Sequence, residues 1–252
     1  MSKKKPVPVG AAGWRKDLIQ LLQRNGYSHD LHQVFSDFVE MGALAYSNLA
    51  DLRNRDEREK RYLDIVKRYK PEEIERFAHA LGALKMCLQL SGFDDVLGSV
   101  FMELELGNKW AGQFFTPFSV SQAMARMSAD DKLANTIRER GFVTVNDPCT
   151  GGGAMLIAFA QVLSEQGFEP YKHMHVTAQD IDIKAVHMTY LQLAILDIPA
   201  IVIHGNTLSL ECRSLWFTPT HILNGWTYRL QQRDQVKSIP ANQQLQLFEE
   251  AA

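Results

Sequence analysis

The chain has 252 residues, enough to bury a full core without disulfide or metal staples. Its 46% hydrophobic and 22% charged residues exclude a wholly disordered or low-complexity polymer. With 27 basic and 29 acidic side chains the net charge is −2, so any contact with nucleic acid has to come from a local patch, not a global basic field.

In chain order, Met1-Ser2-Lys3-Lys4-Lys5-Pro6 is basic, but no long apolar run follows, so a secretory signal is not expected. Residues 1–12 read as a flexible basic tail and 13–108 as a helical region. Trp14, Leu18, Leu21 and Leu22 mark a first helix that Asn25-Gly26 stops. Ser28 is a cap for a second, with Leu31, Val34, Phe35, Phe38 and Val39 on its apolar stripe. Asp51 to Arg76 holds nine basic and eight acidic residues, with Asp56/Lys60, Glu57/Arg61 and Asp64/Arg68 spaced for pairing along a solvated helix; a DNA-backbone contact is the other reading. Pro71-Glu72-Glu73 opens a further helix that Ser91-Gly92 ends.

The pattern then changes. Ser119 with Gln122 reads as a capping box opening a helix through Met127. Three β-branched runs follow, Phe142–Val145, His175–Ala178 and Ala200–Ile203, separated by amphipathic segments near Ala154–Ser164 and Ile183–Leu196. Strands alternating with helices predict parallel β-α-β units and an open α/β sheet over 109–228. The glutamine-rich segment 229–252, with Pro240, reads as a flexible tail.

The sharpest feature is Asn146-Asp147-Pro148-Cys149-Thr150-Gly151-Gly152-Gly153, between a strand and a helix. Glycines let a ligand approach the backbone, and the helix start offers free N–H groups. The spacing lacks one glycine of the dinucleotide fingerprint, and Asp147 would repel a pyrophosphate yet attract an ammonium such as that of S-adenosylmethionine. A tight strand-to-helix turn is the plain alternative. The next tip carries Asp180, suited to ribose hydroxyls, with Asp182 mainly a helix cap. The third carries Asn206, whose amide could meet an adenine amine.

Upstream, Gly112-Gln113-Phe114-Phe115-Thr116-Pro117 joins Asp147–Leu156 in family order. The chain resembles the modification subunit of type I restriction systems, the DNA adenine N6-methyltransferase family, over roughly residues 30 to 210. The resemblance implies a helical N-terminal region followed by a Rossmann-like class I methyltransferase sheet, S-adenosylmethionine as cofactor, and DNA and restriction-modification subunits as partners. Gln113, Phe114, Phe115, Thr116 and Pro117 would close over the methionine end of the cofactor. Asp147, Gly151 and Gly153 would cradle its amino and carboxylate groups, Asp180 would hold the ribose, and Asn206 would sit by the adenine.

The family's Asn-Pro-Pro-aromatic motif departs here, because the sequence contains no Pro-Pro. Thr220–Trp226 reads as a short fourth strand ending in Asn-Gly-Trp, making Asn224 and Trp226 the remaining catalytic candidates, or as an ordinary turn. Residues 207–252 are too few for four more strands with crossovers, so the C-terminal half of the sheet is expected to be incomplete. Two functions follow: an adenine-specific DNA methyltransferase, or an inactive methyltransferase-fold module acting through partners in restriction, anti-restriction or replication-linked DNA maintenance.

Gln244-Leu245-Gln246-Leu247-Phe248 resembles the peptide by which bacterial replication proteins dock on the sliding clamp; an edge strand is the alternative for its alternating Leu245, Leu247 and Phe248. Three scattered cysteines without a CxxC pair fit a reducing cytoplasm. No metal site and no membrane span are expected.

Overall fold

The computed structural model describes residues 10–104, 115–129 and 131–238. Five helices come first: α1 (Gly10–Gly26), α2 (Leu31–Ser47), α3 (Arg55–Val66), α4 (Pro71–Ser91) and α5 (Val96–Glu103). The first begins at Gly10, so helix replaces the last part of the expected tail. Its breaker, Asn25, is buried: the side-chain amide donates to the Glu73 carbonyl (3.1 Å) and accepts from Arg76 Nε (2.6 Å). The cap of α2 is Asp30, not Ser28, because the Asp30 carboxylate takes the Gln33 N–H at 2.9 Å.

The charged stretch is more than a self-paired solvated helix. Arg61 reaches Glu40 of α2 rather than Glu57, at 2.6 and 2.7 Å, and Arg68 reaches Asp37 at 3.3 Å rather than Asp64. Arg58 is buried and works as a rivet. Its guanidinium donates to Asp51 (2.5 Å), to Ser47 and to the Leu215 carbonyl (2.9 Å), and it stacks 4.3 Å from the Trp216 ring centre.

Helices α6 (Phe118–Ser128) and α7 (Asp131–Arg140) lead into the sheet. The Ser119/Gln122 box does not form. The cap is Pro117, two residues earlier, so the helix starts at Phe118, and the Gln122 amide instead donates to Gln161 at 2.8 Å.

Strands β1 (Val143–Asp147), β2 (Met174–Asp180) and β3 (Ala200–Asn206) are parallel neighbours in the order of the chain. Helix α8 (Ala154–Glu165) with the short α9 (Pro170–His173) makes the first crossover, and α10 (Ile183–Ile195) makes the second. The three β-branched runs and both crossover helices are where the periodicity puts them. Strand β4 (Glu211–Phe217) then pairs antiparallel with β3, with a register shift at His204/Gly205. A Cβ at Gly205 would lie 2.1 Å from the Glu211 carbonyl oxygen, so this shift tolerates only glycine.

The fourth strand is therefore not Thr220–Trp226. Pro219 fixes the first turn of α11 (Pro219–Leu223), and Trp226 opens α12 (Trp226–Ser238), which carries helix well into the segment read as a tail. Thr218 locks this corner: its hydroxyl donates to the Ile198 carbonyl (3.0 Å) and accepts the Ala200 N–H (2.8 Å).

One hydrophobic core joins the helical region to the sheet, from Leu18 and Leu22 through Phe35 and Phe38 to Leu191, Val176 and Val202. Helix α2 approaches α10 so closely that a Cβ at Gly42 would lie 2.7 Å from a Leu191 methyl. The fold is a helical N-terminal region on an α/β sheet that has, among the described residues, three parallel strands and one antiparallel edge strand. Among the described residues no helix is long and apolar enough to cross a membrane.

Candidate functional site

The carboxyl ends of β1, β2 and β3 meet at one place, as parallel strands joined by crossovers require. Beyond β1, Gly151 (φ +55°) and Gly153 (φ +91°) take left-handed backbone that other residues adopt at a penalty. A Cβ at Gly151 would press on the Phe115 ring at 3.0 Å, and one at Gly153 on the Thr189 hydroxyl at 3.1 Å. The loop is tied from several sides. Thr150 N–H donates to the Gln179 carbonyl (2.9 Å), the Thr189 hydroxyl donates to the Gly151 carbonyl (2.9 Å), and Gly151 N–H donates to Asp180 (2.8 Å).

Asp180 bridges the tips of β1 and β2. One oxygen takes the Gly151 N–H and the other takes the Asp182 N–H at 2.9 Å, leaving lone pairs for a ligand. Asp182 caps α10 through the Lys184 N–H at 2.9 Å. Asp147 accepts the Cys149 N–H at 3.1 Å. Burial raises its carboxyl above the ordinary range; that N–H opposes the shift, and the nearby Asp180 charge adds to it.

At the third tip the Asn206 side-chain oxygen accepts the Leu208 and Ser209 N–H groups, at 2.9 and 3.4 Å. That oxygen is spent on an Asx turn, so it cannot also accept from an adenine amine; the NH2 end is what Asn206 offers a ligand. The Thr207 hydroxyl ties this tip to the glycine loop by donating to the Pro148 carbonyl at 2.7 Å. Between the tips lies a cleft of about 490 Å³, lined by Phe115, Pro148, Cys149, Gly151, Asp180 and Asn206 among others. A larger hollow of about 570 Å³ lies between α1 and α4 and shares no lining residue with the cleft.

Behind the loop sit two residues that strand-tip reasoning missed. Asp95 caps α5, accepting the Gly98 N–H at 2.9 Å and the Gln192 side-chain amide at 2.8 Å. The same Gln192 amide donates to the Gly152 carbonyl at 2.8 Å, and its oxygen accepts the Leu97 N–H at 2.9 Å. Asp95 is 3% exposed and Gln192 is 0% exposed. Burial pushes the Asp95 carboxyl up to about 6, against the hydrogen bonds from Gln192 and Gly98. A signal existed: an acid before the apolar run Val96–Phe101 is a cap, and a glutamine inside the apolar run of α10 needs a buried partner.

Of the residues expected to hold a cofactor, Phe115, Gly151, Asp180 and Asn206 line the cleft, while Asp147 ends β1 and Gly153 precedes α8 on either side of the loop. The Phe115 ring is braced edge-on by Phe101 at 5.0 Å. Thr116 and Pro117 are exposed at the start of α6. Gln113 and Phe114 lie outside the described residues, as do Gln244, Leu245, Leu247 and Phe248.

Asn224 and Trp226 stand at the wrong end. They follow Thr218, which bonds the start of β3, and so occupy the amino ends of the strands, opposite the cleft. Trp226 is fully buried, edge-on to Phe142 at 5.0 Å and covered by the Arg229 guanidinium at 3.7 Å. It is a core ring, unable to stack on a flipped base, and Asn224 merely sits in the turn before Gly225 (φ +64°). Among the described residues no group of three or more His, Cys, Asp or Glu side chains is placed to hold a metal.

Comparison with known proteins adds four findings. A search of curated proteins gave no match. Among solved structures the chain is similar to a Listeria monocytogenes protein provisionally described as a class I S-adenosylmethionine-dependent methyltransferase: 15% identity, TM-score 0.41, 76% of this chain and 53% of that one. It is also similar to the type I restriction-modification system methyltransferase subunit from Streptococcus thermophilus: 13% identity, TM-score 0.39, 79% of this chain and 59% of that one. The chain thus spans between half and three-fifths of the length of either. The profile described as N-6 DNA Methylase matches residues 95–237, more than half of the sequence and all of the strand-tip cleft. The chain belongs to the N-6 DNA methylase family.

Proposed function

We propose that this chain binds S-adenosylmethionine in the cleft at the tips of β1, β2 and β3 and serves the N6 methylation of adenine in DNA. The observation that carries the reading is the convergence of a glycine loop, a bridging acid and an amide on one cleft of about 490 Å³. The residues suit the ligand. The loop is pared to glycine where Phe115 crowds it, so a ligand can approach its backbone closely. Asp147 offers a partly buried carboxylate to an ammonium, Asp180 keeps acceptor capacity for ribose hydroxyls, and the Asn206 NH2 can donate to the adenine ring. Phe115 forms an apolar wall. Bound S-adenosylmethionine would supply a methyl group carried on a cationic sulfur.

A second reading is a methyltransferase-fold module that acts through partner proteins. It is favoured by the position of Asn224 and Trp226 at the far end of the sheet, which leaves the adenine amine to be received by groups other than these. Restriction-modification subunits are the partners we propose, with DNA as the shared substrate in the cytoplasm.

Calorimetry with S-adenosylmethionine and its demethylated product tests the first step; saturable heat is expected, and its absence at millimolar ligand overturns the reading. Tritium transfer to unmethylated DNA, with and without partner subunits, separates the two roles. Transfer by the chain alone that is lost in Asn224→Ala would show the catalytic centre to be misplaced here.

A further inference from the structure

We infer that Asp95 and Gln192 are positioning residues that set the shape of the glycine loop, and through it the affinity of the cleft for its ligand. The inference rests on the cofactor reading for the ligand's identity, but its geometry stands apart from it. Gln192 is the hub. Its side chain makes three hydrogen bonds at 2.8–2.9 Å, to Asp95, to the Gly152 carbonyl and from the Leu97 N–H. These use both amide protons and one oxygen lone pair, so the amide has one productive orientation.

Thr150, Gly151 and Pro148 have other ties, whereas the carbonyl of the middle glycine, Gly152, is held by Gln192. A Cβ at Gly152 would be 3.5 Å from Asp95 Oδ1 and from the Met188 methyl, so the acid lies directly behind this residue. The Gly152 carbonyl is held by Gln192 at 2.8 Å, and one residue earlier the Gly151 N–H is held by Asp180 at 2.8 Å. Asp95 in turn fixes Gln192, and Asp95 is itself fixed as the cap of α5. The helical region is thereby built into the wall of the cleft, by a strut of one acid and one amide.

The test uses the full chain and three variants. Gln192→Met keeps side-chain length and removes every hydrogen bond of the hub. Asp95→Ala removes the acceptor, whereas Asp95→Asn retains the oxygen that takes both Gly98 and Gln192. Two readouts are needed: the Kd for S-adenosylmethionine, and amide hydrogen exchange across residues 148–156 in the free protein. Gln192→Met and Asp95→Ala should weaken binding more than tenfold and speed exchange in the loop, while Asp95→Asn stays within threefold of wild type in Kd. If Asp95→Ala fails to fold, Gln192→Met against Asp95→Asn decides. A folded Gln192→Met protein with wild-type affinity and wild-type exchange overturns the inference. Faster loop exchange in a chain whose wild type shows no binding would sink the cofactor reading and leave the strut intact.

Discussion

Replacing Asp180 by asparagine is the most informative single change, because the side chain keeps its shape and loses only one acceptor. The carboxylate serves two backbone donors, Gly151 at 2.8 Å and Asp182 at 2.9 Å, one on each oxygen. An amide can turn its oxygen to only one of them and must point its NH2 at the other N–H. Hydrogen bonds to a charged group contribute about 1.5–3 kcal/mol each. Asp180 is half-buried on a cleft that water enters, which places the loss near the lower end, at about 2 kcal/mol. For a chain of this size that lowers Tm by about 4–8 °C. Differential scanning calorimetry measures this, and titration with S-adenosylmethionine should show a loss in affinity of more than tenfold, because ribose acceptors go as well. An Asp180→Asn protein that melts with wild type and binds equally would refute the bridging role of the carboxylate.

Two further outcomes follow from buried charges. Arg58→Ala strands the buried Asp51 carboxylate and frees β4 from α3; urea unfolding should show a loss of about 3–5 kcal/mol, and retention of stability would mean that the rivet is idle. His187, buried edge-on against Trp216 at 4.9 Å, has its pKa lowered to about 4 by burial. A histidine held neutral stabilises the fold above its unfolded value near 6.5, and that contribution is lost as pH falls toward 4, by about 3 kcal/mol. His187→Phe should therefore flatten the acid limb of the stability profile, measured by urea unfolding from pH 7 to 4. Asp95, raised to about 6, acts in the opposite sense and stabilises as pH falls over part of the same window, so the slope is to be compared between variant and wild type.

How far the sequence revealed all this depended on whether the information was local. The runs Phe142–Val145, His175–Ala178 and Ala200–Ile203 are rich in β-branched residues, and their alternation with helices left one sheet type open. The glycine loop was visible because positive φ demands glycine. Strand β4 was not visible: Glu-Cys-Arg-Ser-Leu-Trp-Phe buries only Trp216, and what seats it is Arg58, 157 residues away in the chain. Thr220–Trp226 looked more like a strand, yet Pro219 starts a helix there. The role of Asn206 was misjudged for a similar reason, since an Asx turn claims the oxygen before any ligand does. Asp95 and Gln192 meet across 97 positions, a distance that no spacing rule covers.

The meeting of α2 with α10 at Gly42 bears on how such proteins can be recombined. With a leucine methyl seated where any side chain on residue 42 would be, the two helices must change together. A chimera that takes its first hundred residues from one relative and its sheet from another would inherit mismatched halves of a single interlock. Exchangeable cassettes in this lineage should therefore be cut elsewhere, beyond Phe217, which ends the last strand among the described residues and follows every residue that lines the cleft.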